Sequence, residues 1–260
     1  MSRADAIYER NGLFINAAML AVHANTENGF YQKDVKFYIE LLTNWMETSF
    51  EGFGLNIQNT QVQRILEMFV NEGLLKKNSK KKRPLYIFTP IGLLEMTTRL
   101  VEDRSLFHLQ NFYFLYHIVS LYSQKMEELL LKQKGSLPKS YQLEIKHLLN
   151  PQNLVERQKM RVQKEIDKLE DRVEEAHKMG EVAKRMKREG KSLDQIINSV
   201  EDLYPYQLNN QKKMGELFKS LPPDVLYLEL IEAPQYRATT LWEPLLLDYK
   251  QYLQRISNLQ

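Results

Sequence analysis

Apolar and polar positions recur with a helical period along most of this chain, most regularly in residues 60–72. At this spacing the apolar side chains share one face, which predicts an amphipathic helix. Thr60 followed by Gln63 has the spacing of a capping box and predicts the helix start. Gly73 predicts its end, because the residue just past a helix often adopts a left-handed conformation. The apolar positions of this helix are Val62, Ile65, Leu66, Phe69 and Val70.

A β-hairpin is predicted directly after this helix. Leu74 and Leu75 begin one strand, and the apolar and aromatic run 85–88 forms the other. The segment between the strands is strongly cationic. It contains Lys76, Lys77, Lys80, Lys81, Lys82 and Arg83.

The flanking segments are also mainly helical. The apolar run 13–24 predicts a buried helix, and residues 34–48 predict an amphipathic one. Phe30 and Tyr31, between these two helices, are candidates for a short strand. Residues 50–58 predict a loop, with a short extra helical turn as the alternative. Beyond the hairpin, Pro90 suits the first turn of a helix over 91–101.

In this order, the elements resemble the winged helix-turn-helix DNA-binding domain. The resemblance is carried by helix 60–72, the phrase 72–75 (Glu-Gly-Leu-Leu), the basic hairpin and the sequence 86–92, Tyr-Ile-Phe-Thr-Pro-Ile-Gly. PadR and MarR regulators show a similar pattern at these places. It covers residues 1–102, although the segment 50–58 is longer than the turn usual in the family. The resemblance implies double-stranded DNA as a partner.

The same resemblance implies two sets of contact residues. Glutamine and arginine on the recognition helix suit hydrogen bonding to base edges in the major groove, whereas hairpin lysines suit the phosphate backbone. The alternatives are an ordinary solvated helix face and a turn kept polar for solubility. The candidate helix residues are Gln58, Asn59, Thr60, Gln61, Gln63 and Arg64, and the candidate hairpin residues are the six cations named above.

Residues 103–260 predict an extended α-helical region for dimerisation, effector binding or a protein partner. The helix over 106–134 is too apolar to stand alone in water, so another part of the chain or a second subunit must cover it. The charged helix over 151–179 carries a narrow heptad stripe that pairs with a copy of itself or packs on a neighbouring helix. The residues predicted at a homodimer interface are Phe107, Phe112, Leu115, Ile118, Val119, Val162, Ile166, Leu169 and Val173.

The last third of the chain contains two further patterns. Residues 183–196 predict a small helix–turn–helix pair, with Ser192 and Gln195 spaced as a capping box. Such pairs serve as spacers or as DNA-binding units. Residues 225–232 alternate as in a strand but also fit a buried helical turn, with Pro234 predicted to end the element and Pro244 to begin a terminal helix.

Composition excludes several kinds of chemistry. The chain has 260 residues, a formal net charge of +3 and no cysteine, which rules out disulfides and thiol catalysis. Its five histidines lack metal-site spacing, and no glycine-rich phosphate loop is present, so neither an enzyme nor a cofactor is predicted. No apolar stretch is long enough to span a bilayer, which predicts a cytoplasmic protein without a membrane partner. The resemblance to DNA-binding domains implies that it is associated with the nucleoid.

The sequence therefore predicts a mainly α protein with a winged helix over 1–102 and a helical region over 103–260. The first functional hypothesis is a DNA-binding transcriptional regulator. The alternative is a structural or assembly protein whose winged helix binds another protein, as in subunits of chromosome-organising complexes.

Overall fold

The computed structural model describes residues 3–26, 28–49, 57–78, 83–132, 137–203 and 221–259. The protein is mainly helical with a small two-stranded antiparallel sheet. It divides into two compact units, Met1–Arg157 and Gln158–Gln260. The boundary predicted near residue 102 lies inside the first unit, and the segment 50–56 is outside the described residues.

The first unit consists of helices and one small hairpin. In chain order it contains α1 (Arg3–Asn25), α2 (Gln32–Ser49), α3 (Asn59–Asn71), β1 (Leu75–Asn78), β2 (Leu85–Phe88), α4 (Pro90–Val101), a 3₁₀ turn (Arg104–Phe107), α5 (Leu109–Lys132), α6 (Lys139–Leu148) and the start of α7 (Pro151–Arg188).

The hairpin carries a third, one-residue strand position. Strands β1 and β2 are antiparallel, with Leu75 opposite Phe88 and Lys77 opposite Tyr86. Phe30 bridges to the other edge of β2, where its N–H donates to the Tyr86 carbonyl at 2.9 Å and its carbonyl accepts from the Tyr86 N–H at 2.8 Å. The short strand predicted for Phe30 and Tyr31 is reduced to a single bridge residue, Phe30, and Tyr31 forms no strand.

The apolar helix α5 is covered by the helices of its own unit. The Phe114 ring lies 4.9 Å from that of Phe14 in α1 and 5.9 Å from that of Trp45 in α2, between ring centroids. The predicted interface residues Phe112, Leu115, Ile118 and Val119 are buried, and Phe107 is half-buried. Their apolar character therefore needs no second subunit.

The second unit pairs the long helix α7 with the C-terminal helices. It continues with α8 (Leu193–Leu203), α9 (Pro223–Tyr227), α10 (Ala233–Arg237) and α11 (Glu243–Ser257). Its described core joins the end of α7 to α8 and α9 through a compact apolar cluster. The members of that cluster are Met179, Ala183, Ile196, Ile197, Val200, Tyr227, Leu230 and Ile231.

Two π-helical turns, Leu228–Glu232 and Ala238–Trp242, join α9, α10 and α11 into a helical run. The Ala233 N–H reaches the Leu228 carbonyl, a step of five residues, and Pro234 follows it. The wider turn lets a residue without an N–H enter the helix, because proline removes the usual four-residue bond and crowds the carbonyl behind it. The helical reading of 225–232 is therefore right, and the predicted ending at Pro234 is wrong.

The heptad stripe of α7 faces α11 of the same chain. Gln158 Nε2 donates to Tyr252 Oη at 3.1 Å, and His177 Nε2 lies 2.6 Å from Glu243 Oε1. These two α7 residues lie on the face of the stripe, since they follow its spacing. Of the predicted stripe residues, Val162, Ile166 and Leu169 are buried, and Val173 is half-buried.

Candidate nucleic-acid interface

The N-cap of helix α3 lies two residues earlier than the sequence predicts. Its N-cap is Gln58, whose N–H donates to the Gln61 side chain at 2.7 Å. The prediction of a cap at Thr60 with Gln63 is wrong. Ile57 and Val62 on either side of this first turn are both buried, as in a hydrophobic staple. Burial of Ile57 and Val62 thus favours the earlier helix start. The Gln63 side chain takes no part in the cap and is exposed.

The two faces of α3 are as the sequence predicts. Val62, Ile65, Leu66 and Phe69 are buried. Among the predicted recognition residues, only Gln61, which serves the cap, is half-buried. The exposed candidates are Gln58, Asn59, Thr60, Gln63 and Arg64. The start of α3 is also tied to α2, because Gln32 Nε2 donates to the Asn59 carbonyl at 2.5 Å.

Glu67 connects α3 to the hairpin and is absent from the sequence-predicted site. Its Oε1 lies 2.5 Å from Lys77 Nζ and 3.4 Å from Tyr86 Oη. Burial, followed by the Glu67 charge, raises the pKa of Tyr86 to about 12, so its hydroxyl remains protonated at neutral pH. The partners lie ten and nineteen residues from Glu67. No local pattern could have indicated them.

The carboxylate of Glu72, the C-cap residue of α3, is also paired within the unit. Glu72 Oε2 lies 3.2 Å from Arg99 of α4, which also donates to Glu95 at 2.8 Å. With Glu67 and Glu72 both paired, the cation Arg64 stands on the exposed face of α3 beside uncharged polar residues.

Only part of the predicted basic hairpin lies in the described residues. Lys76 and Arg83 are exposed and form no ion pair with a described carboxylate, whereas Lys77 is held by Glu67. Lys80, Lys81 and Lys82 lie outside the described residues. Among the described hairpin cations, Lys77 is therefore held in an ion pair, whereas Lys76 and Arg83 are available to contact a partner.

Thr89 and Gly92 fix the hairpin to the end of α3. Thr89 Oγ1 donates to the Gly73 carbonyl at 2.8 Å and accepts from the Gly92 N–H at 3.0 Å. A Cβ on Gly92 would lie 1.9 Å from the Leu74 carbonyl oxygen, so only glycine permits this close approach. Gly73 has φ +74°, consistent with its predicted place at the helix end.

The excess positive charge of the chain belongs to the first unit. That unit has 19 Lys and Arg against 16 Asp and Glu, whereas the second has 17 of each. In the described part of the chain, no helix is long and apolar enough to cross a membrane. No group of three or more His, Asp or Glu among these residues is placed to hold a metal ion.

Comparison of the chain with protein-family models, with curated proteins and with solved structures finds no match.

Proposed function

We propose that α1 to α4 and the hairpin form a winged helix that binds double-stranded DNA. The support is the order of elements: a helix, a bridge at Phe30, two helices and a two-stranded hairpin. In this arrangement α3 enters the major groove and the hairpin tip lies along the phosphate backbone.

The observation that carries the proposal is the charge pattern of α3 and the hairpin. Glu67 of α3 and Glu72 directly after it are paired with lysine or arginine of the same unit, so they add little repulsion toward phosphate. Arg64, Lys76 and Arg83 stand exposed beside them. A surface with paired acids and exposed cations suits a polyanion.

Base reading in this proposal falls to Gln63 and Arg64. These adjacent side chains are both exposed on the part of α3 that is not buried against the unit. Glutamine pairs with adenine and arginine with guanine in the major groove, each good pair discriminating by about 1–3 kcal/mol. Arg64→Ala should therefore relax the preferred sequence at one position, as measured by selection of bound duplexes from a random pool.

A transcriptional regulator is the role we favour within this class. This role requires that selection of bound duplexes from a random pool enrich one DNA sequence. Binding without enrichment would favour the architectural alternative, a protein that organises DNA or assembles with other proteins.

The direct test is binding of a random duplex, measured by fluorescence anisotropy at several salt concentrations. Replacing Lys80, Lys81, Lys82 and Arg83 by serine should weaken binding and flatten the dependence of log K on log salt by about 3. The matched control replaces four exposed or half-exposed cations elsewhere in the first unit: Arg104, Lys125, Lys139 and Lys146.

Both variants lose four positive charges, so they differ only in where the charges were. An equal loss of affinity in the two would show a general charge effect and remove support for the hairpin. An unchanged salt slope in the hairpin variant would overturn its role as a phosphate contact.

A further inference from the structure

The turn between α7 and α8 is a second concentration of positive charge. Residues 184–191 contain five cations and one carboxylate. All five cations are exposed, and we call them the basic corner: Lys184, Arg185, Lys187, Arg188 and Lys191.

The basic corner differs from the rest of α7 in how its charges are compensated. Residues 159–181 contain six cations and seven carboxylates. In that stretch, Lys168 lies 2.6 Å from Glu165, and Lys178 pairs with Glu174. None of the five corner cations forms an ion pair with a carboxylate in the described part of the chain.

The corner faces away from the core of its unit. On the opposite side of α7, Met179 and Ala183 are buried against α8 and α9. Lys187 lies at the border, with its ammonium 5.3 Å from the centre of the Tyr227 ring. Lys184 and Arg188, one helical turn apart, point outward together.

The turn that carries the corner is held in place. Ser192 and Gln195 form the predicted capping box: the Ser192 N–H donates to Gln195 Oε1 at 3.0 Å, and the Gln195 N–H donates to Ser192 Oγ at 3.3 Å. Gly190, with φ +73°, ends the preceding helix. The cations therefore project from a structured helix–turn–helix.

We infer that the basic corner binds the phosphate backbone of nucleic acid, as a contact separate from α3 and the hairpin. Exposed cations without a carboxylate partner release counterions from a polyanion at no cost in broken ion pairs. The exposed face formed by Lys184, Arg185 and Arg188 presents no large apolar side chain of the kind that inserts into a membrane. Nucleic acid fits this predominantly cationic surface, in which Glu189 is the one carboxylate of residues 184–191, better than a lipid bilayer.

The test compares two variants of the full chain with the same change in net charge. The corner variant carries Lys184→Ser, Arg185→Ser, Arg188→Ser and Lys191→Ser. The control carries Lys164→Ser, Lys168→Ser, Arg172→Ser and Lys178→Ser, all exposed positions on the same helix. Lys187 is kept in both because of its contact with Tyr227.

Anisotropy titrations with a random duplex should show that the corner variant flattens the salt slope by about 2–4 while the control leaves it nearly unchanged. A third variant, with Lys184→Arg and Lys191→Arg, should keep wild-type binding because the charge remains. Circular dichroism at the assay temperature verifies that each variant keeps its helices.

An equal change in corner and control variants would overturn the inference. So would loss of binding to phosphatidylserine vesicles together with unchanged duplex binding in the corner variant. The same titration in the hairpin variant separates the two proposals. If the hairpin substitutions have no effect and the corner substitutions do, the winged-helix site fails and the corner stands; the reverse result removes the corner alone.

Discussion

Two glycines, one in each unit, sit against a neighbour that would collide with a side chain. At Gly92 the nearest neighbour of a Cβ is the backbone carbonyl of Leu74, at 1.9 Å. At Gly180 it is the end of the Gln235 side chain, at 2.2 Å. A backbone carbonyl at the start of a strand cannot move without displacing the strand, whereas a glutamine side-chain amide can rotate to another conformation. The first unit positions its hairpin by backbone contact, and the second joins its helices through adjustable side chains.

The sharpest test of this difference is Gly92→Ala. We expect it to lower the free energy of unfolding of the first unit by about 3 kcal/mol, because the strand and α4 must separate. The chain has two tryptophans, Trp45 in the first unit and Trp242 in the second. Urea unfolding followed by Trp45 fluorescence, in a Trp242→Phe background, measures the loss. An unchanged midpoint would mean that the contact is easily relaxed.

A buried histidine makes the first unit sensitive to acid. His23 packs edge-on against Phe88 at 5.3 Å, and its Nε2 has no hydrogen-bond partner in the described structure. Burial lowers its pKa to about 4 from an ordinary 6.5. His23 therefore binds a proton at a higher pH in the unfolded chain than in the folded protein. The free energy of unfolding is not reduced by this difference above pH 6.5, and it falls as the pH drops from 6.5 toward 4.

We expect this histidine to remove about 2–3 kcal/mol from the unfolding free energy between pH 7.5 and 4.5. The Trp45 signal should report the loss, and His23→Leu should reduce it relative to the parent protein. If the variant retains the same pH dependence, carboxylates rather than His23 cause it. His177 of the second unit, by contrast, is exposed and lies beside Glu243.

A substitution at Glu67 should have a smaller effect. It tests whether the ion pair with Glu67 keeps Lys77 from binding DNA phosphate. Glu67→Gln removes a negative charge from α3 and loosens Lys77 from its partner. Duplex affinity should rise, and the salt slope should steepen by about 1 as one more phosphate contact forms. The control is Glu72→Gln, which makes the same charge change at the end of α3, where Arg99 still has Glu95. Equal effects of the two variants would contradict a specific role for Lys77.

Gly180→Ala should have the smallest effect. Alanine favours a helix interior over glycine by about 1 kcal/mol. Displacing Gln235, whose amide donates to the Ile231 carbonyl at 3.0 Å, offsets part of this gain. The unfolding free energy reported by Trp242, in a Trp45→Phe background, should therefore change by less than about 1 kcal/mol. A loss as large as that of Gly92→Ala would remove the distinction between the two units.

The parts of the fold that follow from local pattern were predictable. The two faces of α3, the paired strands and the capping box at Ser192 each depend on residues within a few positions of one another. The start of α3 was misplaced because Thr60 satisfies the capping pattern, whereas burial of Ile57 decides the position. The sequence wrongly predicts an end at Pro234, because a π-helical turn leaves no recognisable local signal.

By itself, the sequence determined which segments are helices, which face of each is apolar and where positive charge concentrates, since these properties arise from neighbouring residues. Only the tertiary structure decided which charges remain exposed. Lys77 is paired because Glu67 of another element lies beside it, whereas the five cations of the basic corner meet no described carboxylate. The apolar residues of α5 and α7 likewise pack within the chain rather than requiring a second copy. Which charges and apolar side chains remain exposed depends on residues distant in sequence, because packing brings these residues together only in the folded chain.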